Sequence, residues 1–129
     1  MISVTLPFPP TVNSYYSHTK RGVYISKKGR LFREAAAESL HQQLGDLRQL
    51  DYRISLTVVL HMPDKRTRDL DNYMKALLDA ITVYGLWEDD SQIDQLSIYR
   101  GETVKSGIVK LVIDDAGPTI PLSFDATLL

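Results

Sequence analysis

The chain has 129 residues, 43% of them hydrophobic and 24% charged, with a formal net charge of −1 and no cysteine. That length argues for one domain around one modest core. The missing cysteines exclude disulfides, thiolate metal sites and thiol nucleophiles, in keeping with a reducing compartment. The near-neutral total hides an asymmetry: residues 1–33 contain no Asp or Glu but carry Lys20, Arg21, Lys27, Lys28, Arg30 and Arg33, whereas Glu88, Asp89, Asp90 and Asp94 cluster later. Such a split suits a polyanionic partner, and it equally suits an ordinary solvated surface. The opening MISVTLPFPPTVN has neither the basic start nor the apolar run of a secretion signal. No apolar run approaches the roughly 20 residues that span a bilayer, so a cytoplasmic protein is expected.

Ile2, Val4 and Leu6 alternate with Ser3 and Thr5, the period of a short strand. Pro7, Pro9 and Pro10 then deny the ladder its donors. Residues 7–25 make a long connection, of the kind that in a small domain is functional or disordered. It interleaves Phe8, Tyr15, Tyr16 and Tyr24 with His18, Lys20 and Arg21. Aromatics stack on unpaired bases and cations meet phosphates, although any single tyrosine more commonly packs a loop onto the body. Residues 27–44 are predicted to form a helix, with Phe32, Ala36, Leu40 and Leu44 four apart and Gly45 as its stop. Residues 53–61 alternate as a strand. A second helix over 70–84 aligns Leu70, Met74, Leu77, Leu78 and Ile81 and stops at Gly85. GLWEDDSQID is a loop, anchored by Trp87. Residues 95–101 and 107–113 are predicted to pair as a hairpin through ETVKS. The order β–α–β–α–β–β predicts an α+β domain over 1–115, a small mixed β-sheet with two helices packed on one face. Residues 116–129 read as an arm or a disordered tail.

The chemistry concentrates in Arg68-Asp69-Leu70-Asp71-Asn72. Asp69 falls near the helix N-cap and Asp71 in the first turn, where carboxylates are favoured for structural reasons alone. Three observations favour a metal instead. Two acids and an asparagine within four residues exceed what one cap needs, and Mg²⁺ takes such oxygens. Lys75, four residues after Asp71, shares its face and either pairs with it or donates to a phosphate. Lys65, Arg66 and Arg68 draw phosphate towards acids that repel it unless a cation reverses the local charge. A third acid from Glu88, Asp89, Asp90 or Asp94 would complete the site, and spacing alone does not choose among them. The histidines lack zinc-type spacing, and no Gly-rich phosphate loop is present.

The run MPDKRTRDLDNYMKALLDAITVYGLWEDDSQID closely resembles the signature of the RusA-type Holliday junction resolvases: a basic stretch, D-L-D-N opening a helix, a lysine four on, and a G-x-x-x-D-D-x-Q-[VI] loop. The start, LPFPPTVNSYY, resembles that family's L-P-x-P-P-x-x-N-x-x-Y. The likeness runs from Ile2 to about Ile113 in one order, with Thr67 interrupting the basic run. It implies a homodimeric, Mg²⁺- or Mn²⁺-dependent endonuclease that binds four-way DNA junctions and cuts two strands symmetrically. Carried over, the catalytic residues are Asp69, Asp71, Lys75 and Asp90, with Asp69, Asp71 and Asp90 on the metal. Lys20, Arg21, Lys27, Lys65, Arg66 and Arg68 would contact DNA. The rival expectations are a less selective branched-DNA nuclease, a non-catalytic junction-binding protein, and a structural domain whose Asp69 and Asp71 cap a helix.

Overall fold

The computed structural model describes residues 1–124. In chain order its elements are β1 (Ile2–Pro7), α1 (Val12–Tyr15), β2 (Tyr16–Thr19), β3 (Gly22–Ile25), α2 (Lys27–Leu44), β4 (Ile54–His61), α3 (Met74–Tyr84), β5 (Ile93–Arg100) and β6 (Ile108–Asp115). Alternating side chains build the main sheet. Ile54, Leu56, Val58 and Leu60 of β4, Val4 and Leu6 of β1, and Val109, Leu111 and Ile113 of β6 are all buried. They meet Phe32, Ala36 and Leu40 of α2 and Leu77, Ala80 and Ile81 of α3 in one core. The predicted α+β class, a mixed sheet with its long helices on one face, is therefore what forms.

The strand order is β1-β6-β4-β5, with β6 antiparallel to both neighbours and β5 parallel to β4. Parallel neighbours need a crossover, and α3 supplies it. The β4–α3–β5 unit decides where the site lies. The chain leaves the C-terminal end of β4, runs back along α3, and re-enters the sheet at the N-terminal end of β5. Gly85 ends α3 at φ 94°, a left-handed conformation that glycine adopts without a Cβ penalty.

Two expectations are corrected. The predicted hairpin of residues 95–101 and 107–113 does not form: both strands exist, but β4 lies between them. Gly101 N donates to Leu60 O at 2.9 Å and Val104 N to Met62 O at 3.0 Å, so the link passes around the end of β4 instead of turning tightly. The connection over residues 7–25 is also not structureless. It holds α1 and a two-stranded hairpin, β2–β3, separate from the main sheet.

The two outer edges of the main sheet differ. At β1, Thr5 N donates to Gln43 Oε1 at 2.8 Å, and Gln43 Nε2 donates to Thr5 O at 2.6 Å. At Thr5, a side-chain amide from α2 thus makes the hydrogen bonds that another strand would make. The β5 edge carries no such contact among the described residues, and it exposes Leu96 (43%) and Tyr99 (57%). Of the predicted tail, Ala116 N bonds Arg53 O at 2.9 Å, residues 117–124 are exposed, and 125–129 lie outside the described residues. Among the described residues no helix is long and apolar enough to cross a membrane.

Candidate active site

A 3-10 turn, Leu70–Tyr73, opens α3. It is fixed from below, because Tyr73 is buried and its ring meets Phe8 edge-on at 4.9 Å between centroids. Asp69 sits at the N-cap with extended backbone, yet its side chain makes no capping hydrogen bond. Asp71 follows in the first turn and Lys75 one turn later. All three are exposed, and among the described residues none of their side chains enters a hydrogen bond or ion pair. Capping does not account for Asp69, and pairing with Lys75 does not account for Asp71. The head of the helix thus carries two carboxylates and an ammonium whose side chains have no partner among the described residues.

The preceding basic run is arranged by Asp64, an acid outside the expected site residues. Asp64 accepts from Arg66 Nη2 at 2.9 Å and from Arg68 Nη1, and its Oδ1 also accepts from Arg66 N at 3.0 Å. Arg68, then Arg66, holds the Asp64 carboxyl well below the usual carboxylate range. Arg68 O in turn accepts from Arg100 Nη2 at 2.6 Å, which brings a cation from β5 to the same place. Lys65, Arg66, Arg68 and Arg100, with Asp64, line a cleft of about 320 Å³ formed by the segment just before Asp69. Only the i,i+4 spacing of Asp64 and Arg68 hinted at this pairing. Arg100, remote in sequence, gave no signal.

The acidic loop is rigidly built. Trp87 is fully buried and its Nε1 donates to Thr82 Oγ1 at 2.7 Å. Gln92 Oε1 accepts from Glu88 N at 2.8 Å, while its Nε2 donates to Leu50 O at 3.0 Å. Asp89 caps the short 3-10 turn Asp90–Gln92, and Asp94 pairs with Arg53. This leaves Glu88 and Asp90 as the loop's acids with uncommitted side chains among the described residues. Asp90, however, lies past the C-terminal end of α3, an 11-residue helix of about 16 Å. The register says the same: Asp90 lies beside the Ile54↔Ile93 end of the β4–β5 pair, while Arg68 O sits at the Leu60↔Arg100 end. Among the described residues no three Asp, Glu or His side chains gather closely enough to hold one metal ion. Asp69, Asp71 and Lys75 all belong to the N-terminal end of α3, and Asp90 lies beyond its other end.

Comparison with known proteins bears on this arrangement. The family model described as endodeoxyribonuclease RusA matches residues 7–114. The chain belongs to the RusA endodeoxyribonuclease family. It is 36% identical over 115 residues to the crossover junction endodeoxyribonuclease RusA of Escherichia coli strain K12, covering 89% of this chain and 95% of that protein. It is 36% identical over 114 residues to the protein of the same name from Enterobacteria phage 82, covering 88% and 94%.

Two further features belong to this RusA-family chain. Tyr15, from the NSYY of the proline-rich start, is fully buried, and its hydroxyl donates to Asp79 of α3. Arg33 closes the triad, with Nε donating to Tyr15 Oη at 2.7 Å and Nη2 to Asp79 at 2.6 Å. Asp79 lies one turn beyond Lys75. Engaged by Tyr15 and Arg33, it leaves the Lys75 ammonium free. Lys20 and Arg21 form the turn of the β2–β3 hairpin, and Lys27 begins α2; all three are exposed.

Proposed function

We propose that the chain is a metal-dependent endodeoxyribonuclease that resolves four-way DNA junctions by paired symmetric cuts, acting as a homodimer. In a RusA-family chain, the observation that carries this reading is the uncommitted Asp69 and Asp71 at a helix head, immediately following a basic run whose Lys65, Arg66 and Arg68 line a cleft with Arg100 and the bridging Asp64. Uncommitted carboxylates at that spacing suit Mg²⁺ or Mn²⁺, which accept one or two carboxylates and keep waters and phosphate oxygens as their remaining ligands. When bound, such an ion lowers the pKa of a coordinated water and offsets charge on the scissile phosphate. The protein's own groups do the rest. Lys65, Arg66, Arg68 and Arg100 seat a backbone phosphate in the cleft, with Asp64 fixing the Arg66 and Arg68 forks in advance. Lys75 donates to a non-bridging oxygen of the phosphate that this places over Asp69 and Asp71.

Asp90 joins the pair from a second copy. A two-fold axis that sets α3 or β5 antiparallel to its mate exchanges the two ends of the unit. It thereby brings the partner's acidic loop to this chain's Asp69 and Asp71. The open β5 edge is the surface for that pairing. Two such sites related by a two-fold match the symmetry of a four-way junction. Contacts to phosphate carry no base sequence, so selectivity comes from shape.

The test is cleavage of a synthetic four-way junction beside a linear duplex of the same sequence, with Mg²⁺, with EDTA, and with Asp71→Asn. Paired symmetric nicks on the junction alone, absent in EDTA and in the variant, are expected. Binding without cutting under every metal condition sinks the nuclease reading, and equal cutting of linear duplex sinks junction selectivity. Mixing inactive Asp71→Asn with inactive Asp90→Asn separates the two ways of building the site. A shared site regenerates one intact copy per mixed dimer and restores single-strand nicking. A site within one chain restores nothing.

A further inference from the structure

We infer that the β2–β3 hairpin is the arm that reads the branch point, with Val23 and Tyr24 set against unstacked bases where the DNA strands exchange and Lys20 and Arg21 on the adjoining phosphates. This rests on the resolvase reading above. From Ser17 to Tyr24 every residue of the hairpin is exposed, including Val23 (58%) and Tyr24 (51%), and only the root residues Tyr16 and Ile25 pack against the core. A two-stranded hairpin with neither face covered is marginal in water, so this one is built to be covered by something. Its charge states what: the surrounding residues 1–33 hold no acid, the turn is Lys20-Arg21, and Lys27, Lys28 and Arg30 follow its root. An intact duplex offers such an arm phosphates but no base faces. The crossover of a four-way junction offers both, and aromatic and aliphatic side chains contact exposed bases without regard to sequence.

The root is as firm as the tip is bare. Ser26 N donates to Tyr15 O at 3.0 Å and Ser26 Oγ to Ser14 O at 2.6 Å, which closes the hairpin's base. Gly29 lets α2 come against that base, since a Cβ there would lie 2.5 Å from Tyr15 O. Tyr15 is bonded through its hydroxyl to Asp79, on the helix that carries Lys75. The arm is therefore coupled to the catalytic helix, and a branch point seated on it fixes which phosphate reaches Asp69 and Asp71.

The test is binding in EDTA to a four-way junction and to the matching linear duplex, with 2-aminopurine at the branch point as a stacking reporter. Val23→Ser with Tyr24→Ala is expected to weaken junction binding at least tenfold, to weaken duplex binding less than twofold, and to abolish the fluorescence change. Tyr24→Phe keeps the ring and is expected to retain both junction preference and signal. Lys20→Ala with Arg21→Ala should weaken both substrates and reduce the salt dependence of log K by about 1.8. Equal loss on junction and duplex in the Val23/Tyr24 variant, unchanged junction binding, or loss of preference in Tyr24→Phe overturns the inference. A wild-type protein that neither prefers nor cuts the junction removes the resolvase reading and this one with it. A wild-type protein that cuts, beside a Val23/Tyr24 variant that keeps its preference, removes only the arm.

Discussion

Burial, and then the Asp79 carboxylate, push the Tyr15 hydroxyl well above its ordinary pKa, while Arg33 pulls it back in part. The folded chain thus keeps the Tyr15 proton at a pH where an unfolded chain, titrating near 10, releases it. A raised pKa supplies stability that is fully present below about pH 10 and lost as pH climbs through the folded value. Melting temperature should fall above about pH 10, and Tyr15→Phe should make that fall shallower while costing about 1 kcal/mol at neutral pH through the lost hydrogen bond. Alkaline melts of both proteins check the sign. Asp64 runs the other way. Its depressed pKa means the arginine forks stay ordered above about pH 4 and loosen only in stronger acid. Among the described residues, the side chains of the acids at the head of α3 form no bonds for an amide to lose. Asp71→Asn should therefore change unfolding free energy by less than about 0.5 kcal/mol while ending cleavage. A clear loss of stability with activity retained would instead mark Asp71 as a structural residue.

At the scale of elements, what could be read in the sequence was what local period fixes. Ile54, Leu56, Val58 and Leu60 announce β4, and Phe32, Ala36 and Leu40 announce α2. Pairing is not local, and the five-residue run ETVKS between two strand patterns imitates a hairpin loop. The link from Gly101 to Gly107 is held by Leu60 O and Met62 O, contacts that only a completed sheet provides. The site divides along the same line. Asp69, Asp71 and Lys75 share one helix head and were visible as a motif. Arg100 arrives from another strand. The distance of Asp90 follows from the crossover between parallel strands, which pattern alone does not disclose. Gly29 is a comparable case, since a glycine inside a helix looks like a defect until Tyr15 O is found where its Cβ would be. Gly29→Ala should gain about 1 kcal/mol of helix propensity and lose more to overpacking, for a net destabilisation of about 1–2 kcal/mol in chemical denaturation. A net gain in stability would mean that the hairpin root yields to the methyl group.

For the whole molecule, the proposed dimer places its weight on β5. Charges on an edge strand oppose strand-to-strand association, so Leu96→Asp with Tyr99→Asp should shift the protein from dimer to monomer in sedimentation velocity. Cleavage should be lost with it, because each Asp69–Asp71 pair then lacks its third acid. A monomer that still cuts would place the whole site within one chain. In that proposed dimer, the Gln43 amide on Thr5 hinders further strand pairing at β1. A sheet with two free edges has a valence of two and can string itself into ribbons without end. With Gln43 already holding the Thr5 backbone, β1 is the poorer edge for a second strand, and pairing through β5 is expected to stop at two chains. Gln43→Ala should open the β1 edge, and species larger than a dimer should then appear as concentration rises.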